Sequence, residues 1–173
     1  INLGVIQQDQ AKAKELLAEA GYPDGFEMNL MCTDVYNKGV QAGEIAAAQL
    51  AEVGIKCNLV VVDSATFSAA LNGLTPEEFP DWGMFLMGAG YITLDGDEGL
   101  KRRFATAEDG KNSNNYGFYS NAEADELLNG AAKTTDQEWR EKAYQRAAEI
   151  LYLEDPVGCY LNSRNETVIL SAQ

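Results

Sequence analysis

Gly88-Ala89-Gly90, followed by Tyr91-Ile92-Thr93-Leu94-Asp95, is the stretch of this chain with most to offer chemically. It follows an apolar run, and glycines at a strand's end let backbone N–H and C=O groups come within hydrogen-bonding reach of a bound molecule. Ligands of α/β sheets sit at the carboxyl ends of strands, so Gly88 to Thr93 is a candidate ligand loop. A tight turn between strand and helix uses the same spacing, and two glycines alone favour that plainer reading. Asn115 and Tyr116, with Tyr119 close behind, form a second candidate. Tyrosine supplies flat apolar area, and asparagine supplies donors and acceptors for a polar ligand. The same residues suit equally well a polar loop that packs its tyrosines on the domain surface.

Carboxylates are the third candidate. Asp95, Asp97 and Glu98 cluster, as do Glu77 with Glu78 and Glu108 with Asp109. A glycosidase needs two carboxylates facing each other across a sugar, which adjacency in sequence does not supply. A calcium loop needs Asp-x-Asp-x-Asp-Gly and a closing glutamate, and Asp95-Gly-Asp97-Glu98 fits half of it. A solvated acidic surface is the better reading. The chain has no histidine, which removes Ser-His-Asp and Cys-His nucleophiles and every histidine-based metal site. The Gly-x-Ser-x-Gly elbow of esterases is also missing. Cys32, Cys57 and Cys159 are too few and too far apart for a zinc ribbon or a CxxC redox pair. Each lies in an apolar run that reads as strand, so buried free thiols are expected, with one disulfide open if two of those strands are neighbours. The residues call for no cofactor, no metal and no catalytic group.

The 173 residues carry 13 Lys+Arg against 27 Asp+Glu, a formal charge of −14. That balance argues against a nucleic-acid partner, which requires clustered cations facing phosphates, and against docking on an anionic membrane. No apolar run approaches the roughly 20 residues that span a bilayer, so no membrane insertion of this stretch is expected. The chain opens on Ile1-Asn2-Leu3-Gly4, with neither an initiator methionine nor a signal peptide, and reads as an excised piece of something longer.

The elements that must position these candidates alternate in period. Ala13, Leu16, Leu17 and Ala20 form a helical stripe with Asp9 as cap and Gly21-Tyr-Pro23 as the stop. Phe26, Met28, Leu30 and Cys32 alternate with polar residues, which predicts a strand with one buried face. A second helix is expected from Gly39 to Val53. A strand from Ile55 to Val62 follows, whose Val60-Val61-Val62 suggests burial on both faces. Asp63 or Ser64 caps a third helix on Phe67, Ala70, Leu71 and Leu74. Trp82 to Leu86 reads as a short strand, Asp95 to Phe104 as a short helix, and Thr106 to Tyr119 as a long surface loop. Ser120 with Glu123, and Thr135 with Glu138, have capping-box spacing ahead of two further helices. The second runs to about Leu153, with Trp139 and Tyr144 on its core stripe. Val157 to Leu161 and Thr167 to Leu170 read as strands about an Asn162–Asn165 turn. This order predicts an α/β fold: a mixed, largely parallel sheet flanked by helices, in a single domain over residues 1–173.

Five stretches, in this order, closely resemble the extracytoplasmic solute-binding proteins of peptide- and nickel-type ABC importers, family 5. They are Ala11-Lys-Ala-Lys-Glu-Leu-Leu-Ala-Glu-Ala-Gly-Tyr-Pro-Asp-Gly-Phe26, Gln49-Leu-Ala-Glu-Val-Gly-Ile-Lys56, Trp82-Gly-Met-Phe-Leu-Met-Gly88, Asn115-Tyr-Gly-Phe-Tyr-Ser-Asn121, and Ala148-Glu-Ile-Leu151 before Glu154-Asp-Pro156. The resemblance covers nearly the whole chain. It implies one lobe, the carboxy-terminal one, of a two-lobed protein with the type II periplasmic-binding-protein fold, the amino-terminal lobe being absent. Hinge strands to that lobe are expected near both ends.

The resemblance further implies a non-catalytic protein outside the cytoplasmic membrane, which closes its lobes on a small-molecule or peptide ligand and delivers it to an ABC permease. By the same resemblance Gly88, Ala89, Gly90, Tyr91, Ile92 and Thr93 line the cleft and present backbone groups to an extended ligand. The family uses the Asn115–Tyr116 stretch mainly to order the loop before a helix. Two positions depart from the family's pattern. Ile92 stands where peptide binders usually carry an aspartate for the ligand's ammonium, and Ala89 replaces a bulky aromatic. An aliphatic group cannot stabilise a buried ammonium; Asp95 could supply the charge from another angle, and it suits equally well a cap of the following helix. An oligopeptide is the first expectation for the ligand; the alternatives are an oligosaccharide or a metal chelate on the same fold, or a sensor role in a regulator, with a carboxylate hydrolase the weakest.

Overall fold

β1, Phe26–Thr33, lies at the centre of a parallel sheet ordered β2-β1-β3, with β2 at Ile55–Val62 and β3 at Met84–Phe85. The structure is a computed structural model and describes residues 3–36, 38–73, 75, 83–88, 95–107 and 114–161. β1 and β2 pair in register from Phe26↔Ile55 to Thr33↔Val62, and Leu30 and Met31 pair with Met84 and Phe85. Helix α1 (Gln10–Glu19) precedes β1, α2 (Gly39–Ala51) joins β1 to β2, and α3 (Ser64–Gly73) follows β2.

The two crossovers run in opposite directions across the sheet, α2 from the centre to one side and α3 back over β1 towards β3. Right-handed connections then place the helices on opposite faces. The packing agrees. Gly43 of α2 lies against Cys32 and Leu59, while Phe67 and Leu71 of α3 form a core with Met31, the residue whose side chain alternates with that of Cys32. Leu30 to Thr33 are therefore buried, and the alternation that predicts a half-buried strand undercounts the cover over β1. β2 reverses the expectation. It forms an edge of the described sheet, and Val61 is 51% exposed, because a valine run is buried on both faces only where a second strand and both layers reach it.

Register also decides the disulfide. Cys32 pairs with Val61, four residues beyond Cys57, which separates the two by about 13 Å at ~3.3 Å per residue. A disulfide spans no more than about 7 Å between Cα atoms. All three cysteines are free. Cys32 is buried, whereas Cys159 is exposed and lies outside any strand of the described residues.

A second layer of packing is helical. A wide turn at Asp97–Lys101 runs into α4 (Arg102–Phe104), and α5 (Ala122–Ala131) pairs with α6 (Gln137–Glu149), which ends in another wide turn at Ile150–Glu154. Small residues let α5 and α6 approach: Ala124, Leu128, Ala131, Ala143 and Ala147 are buried, with Ile150 and Leu151 below them. Both caps fall one residue later than their predicted positions. Asn121 accepts from the Ala124 N–H and Asp136 from the Trp139 N–H, doing with a carbonyl or carboxylate oxygen what Ser120 and Thr135 were expected to do with a hydroxyl.

Three further expectations change. Trp139 is no core residue: it is 42% exposed and lies over Gly130. Tyr144 does pack against the Leu128–Ala147 core. α1 buries none of its residues, and Leu16 is exposed. Residues 157–161 form no strand, and the expected partner strand at 167–170 lies outside the described residues.

Candidate functional site

The connections leave β1 towards β2 on one side and return to β3 on the other, so the carboxyl ends of β1 and β3 flank a topological switch point. In an open α/β sheet the usual ligand position is beyond the carboxyl ends of the strands at such a point. Two segments meet at it. Leu86 continues β3 with its N–H donated to the Met31 carbonyl at 2.9 Å, and Gly88 follows. From β1, the chain turns through residues 34–36 into α2, with the Gly39 N–H donated to the Tyr36 carbonyl at 2.7 Å.

Tyr36 reaches Gly88. A Cβ added to Gly88 would lie 2.8 Å and 2.9 Å from Cδ1 and Cε1 of the Tyr36 ring. The other side of that ring environment is fixed by Phe67, edge-on at 6.3 Å between centroids. The glycine is thus required by a neighbour, and its exposed backbone is left open at the end of β3. Sequence reasoning missed Tyr36. It stands alone in a turn and belongs to no period, so only the pairing of β1 with β3 reveals its contact.

Of the predicted ligand residues, Gly88 stands at this switch point. Ala89, Gly90, Tyr91, Ile92 and Thr93 lie outside the described residues. Asn115 and Tyr116 have structural work of their own, and Tyr116 packs against the same Met31–Phe67–Leu71 core as Tyr36 and Met87. Asn115 is 1% exposed. Its Nδ2 donates to the carbonyls of Ala105 (3.1 Å) and Tyr119 (2.7 Å), and its Oδ1 accepts from the Tyr119 N–H at 2.9 Å. It ties the residue after α4 to the segment leading into α5, so the expected surface loop ends in a buried anchor. Tyr116 stacks edge-on against Phe85 at 6.2 Å, and its hydroxyl lies near Asn72 (3.4 Å) and Asn114 (3.3 Å). Asn72 is in the last turn of α3.

Asp95 is also engaged. Its carboxylate accepts the Asp97 N–H at 2.8 Å, and Nη2 of Arg140 reaches both its oxygens, at 2.9 and 2.7 Å. The Asp97 N–H above all, with the Arg140 charge beside it, holds its pKa below the usual carboxylate range, against the opposing effect of burial. Its charge is matched within the fold, which leaves it a poor partner for a ligand's ammonium. Among the described residues no three Cys, Asp or Glu side chains gather as a set of ligands. A cavity of about 230 Å³ opens on the helical side, lined by Gly130, Thr134, Asp136 and Trp139, and Gly88 is not part of its lining.

Residues 3–111 match the family described as "Bacterial extracellular solute-binding proteins, family 5 Middle". The chain is 34% identical over 148 residues to the glutathione-binding protein GsiB of Salmonella choleraesuis, covering 86% of this chain and 29% of that protein. It thus spans under a third of the length of the curated relatives it matches. Among solved structures, it is similar to the ABC transporter-associated periplasmic binding protein DppA from Helicobacter pylori in complex with the peptide STSA. That likeness has a TM-score of 0.69 at 28% identity, over 83% of this chain and 27% of the other. The dipeptide binding protein from a Pseudoalteromonas species in complex with Met-Leu gives 0.69 and 28%, over 83% and 28%. The fold is that of these type II periplasmic binding proteins.

Proposed function

The chain belongs to the family 5 bacterial extracellular solute-binding proteins, and we propose that it is the carboxy-terminal lobe of an importer's solute-binding component. The whole protein captures a peptide-like solute outside the cytoplasmic membrane, between this lobe and an amino-terminal one, and passes it to an ABC permease. The observation that carries this reading is the position of Gly88 at the switch point between β1 and β3. Its backbone is exposed there, and its missing side chain is required by Tyr36.

The ligand surface is the segment from Gly88 through Ala89, Gly90, Tyr91 and Ile92 to Thr93, with Tyr36 against Gly88. Asn115 and Tyr116 keep their ordering roles. A peptide class is supported by the ligands in the names of the relatives above, glutathione, STSA and Met-Leu. Ile92 offers no carboxylate and Asp95 is matched by Arg140, so the solute's amino end is held from the other lobe or carries no free ammonium in this cleft. No catalytic step is involved: hinge closure on the solute is the whole mechanism.

Isothermal titration of the full-length protein with glutathione, Met-Leu, a trisaccharide and a nickel–histidine chelate tests the reading. One-to-one saturation by a peptide supports it. Saturation by the sugar or the chelate alone rejects the peptide class and keeps solute capture.

A further inference from the structure

Trp139 sits on a polar helix, and its side chain is left 42% exposed. A lone exposed aromatic is ordinary on a protein surface, but this one is built in. The tip of its ring takes the space that a side chain on Gly130 would need: an added Cβ there would come 2.5 Å from Cη2 and 3.3 Å from both Cζ2 and Cζ3. The same ring lines the cavity of about 230 Å³ together with Gly130, Thr134 and Asp136. Each wall is held in place. The Asp136 carboxylate accepts the Trp139 N–H at 3.1 Å, and the Asp136 N–H donates to the Thr134 hydroxyl at 3.2 Å. Nη1 of Arg140 donates to the Ala131 carbonyl and lies 3.4 Å from that of Thr134, which ties the end of α5 to the turn that carries Thr134. The cavity is thus formed before anything enters it, as small-molecule sites usually are.

Its lining keeps hydrogen-bonding capacity in reserve. Among the described residues, the Trp139 indole N–H, the Thr134 hydroxyl proton and the second carboxylate oxygen of Asp136 have no partner. Charge narrows what can use them. An anion meets the Asp136 carboxylate, and a cation meets the positive end of α6, which begins at Gln137. A neutral ligand with a flat apolar face and hydroxyls at its rim meets neither. From this geometry we infer that the Trp139 cavity is a binding site for a single neutral sugar ring. The C–H face of a pyranose packs on the indole, one hydroxyl donates to Asp136, and others accept from the indole N–H and from Thr134. The cavity is smaller than the roughly 300–1,000 Å³ of sites for drug-sized ligands, and admits one ring. Gly88 is no part of its lining, so this site is independent of which solute the cleft takes.

The test is saturation-transfer NMR of methyl β-glucopyranoside with the full-length protein, as wild type, Trp139→Ala, Trp139→Phe and Thr134→Val. Transfer to the ring C–H protons is expected in the wild type, half-saturating at about 1–10 mM, as suits one ring with few polar contacts. Trp139→Ala should abolish it. Trp139→Phe, which keeps a ring over Gly130, and Thr134→Val, which keeps the volume, should each weaken it about three- to ten-fold while thermal unfolding stays cooperative. Wild-type transfer in Trp139→Ala would place the sugar elsewhere, the cleft included, and overturn the assignment. So would the absence of transfer to the wild-type protein at about 20 mM glycoside. Tetramethylammonium and inorganic phosphate serve as the cationic and anionic probes. Displacement of the glycoside by either at equal concentration would overturn the neutral-sugar class.

Discussion

Tyr36 occupies the space that a side chain on Gly88 would need, with Cδ1 2.8 Å from the ideal Cβ position. The two residues lie 52 positions apart and meet because β1 and β3 pair in parallel, each ending at the same edge of the sheet. Aromatic and glycine are therefore one unit. The ring gives the end of β3 a solid floor, and the absent side chain leaves the strand's last peptide groups accessible from above.

That unit predicts a compensating pair. Gly88→Ala should destabilise the fold by about 1–3 kcal/mol through overpacking. Gly88→Ala with Tyr36→Leu should recover most of that loss, because the flexible aliphatic side chain vacates the ring position. Urea unfolding of the four proteins of the cycle measures the coupling. Additive effects would show that the ring moves aside freely.

Asn115 predicts a loss no apolar replacement repairs. Asn115→Ala removes three hydrogen bonds and strands the carbonyls of Ala105 and Tyr119 and the N–H of Tyr119 in a buried setting. A cost of about 2–4 kcal/mol is expected, and Asn115→Leu, which keeps the volume, should be no better. Chemical denaturation with an unchanged m-value checks it.

Titration gives a third prediction. The folded pKa of Asp95 is lowered, so its bonds to the Asp97 N–H and to Arg140 contribute stability at pH above the unfolded value of about 4. That contribution is lost as the pH falls through the folded value. The Asp97 amide proton reports the change. Its shift should stay constant down through pH 4 and move only below that. In Arg140→Gln the transition should move up towards the ordinary carboxylate range. Tyr119 should titrate in the opposite sense, its phenol pushed up to about 12 by burial and then by the nearby Asp155, which absorbance at high pH follows.

The thiols give a fourth. With Cys32 and Cys57 four register positions apart, the denatured protein should expose three reactive thiols without any reductant. In the native state the exposed Cys159 should react first. Cys32 should react last, because burial, and then Glu44, push its thiol up.

Much of the fold was legible from period and punctuation. Asp9 caps α1, Asp63 caps α3, and the alternation of Phe26 to Cys32 marks β1. What the chain's local pattern does not carry is rank within the sheet. Val60 to Val62 look more deeply buried than Leu30 to Thr33, yet β2 is at an edge and β1 central, because cover depends on which strands become neighbours. The site was legible in part. Gly88 was singled out by strand-end glycines and by family resemblance. Tyr36 and Arg140 escaped, one in a turn and one on a polar helix face, since their partners are supplied only by tertiary contact. Asn115 was chosen for its amide, and the fold has used that amide to close its own loop.

Native mass spectrometry of the full-length protein, wild type beside Gly88→Val, tests solute capture at Gly88 most directly. The wild-type protein should carry one non-covalently bound solute per chain, released on denaturation as a peptide. Gly88→Val should fold with the same helix content and arrive empty. Equal occupancy by the same solute in both proteins would contradict the account.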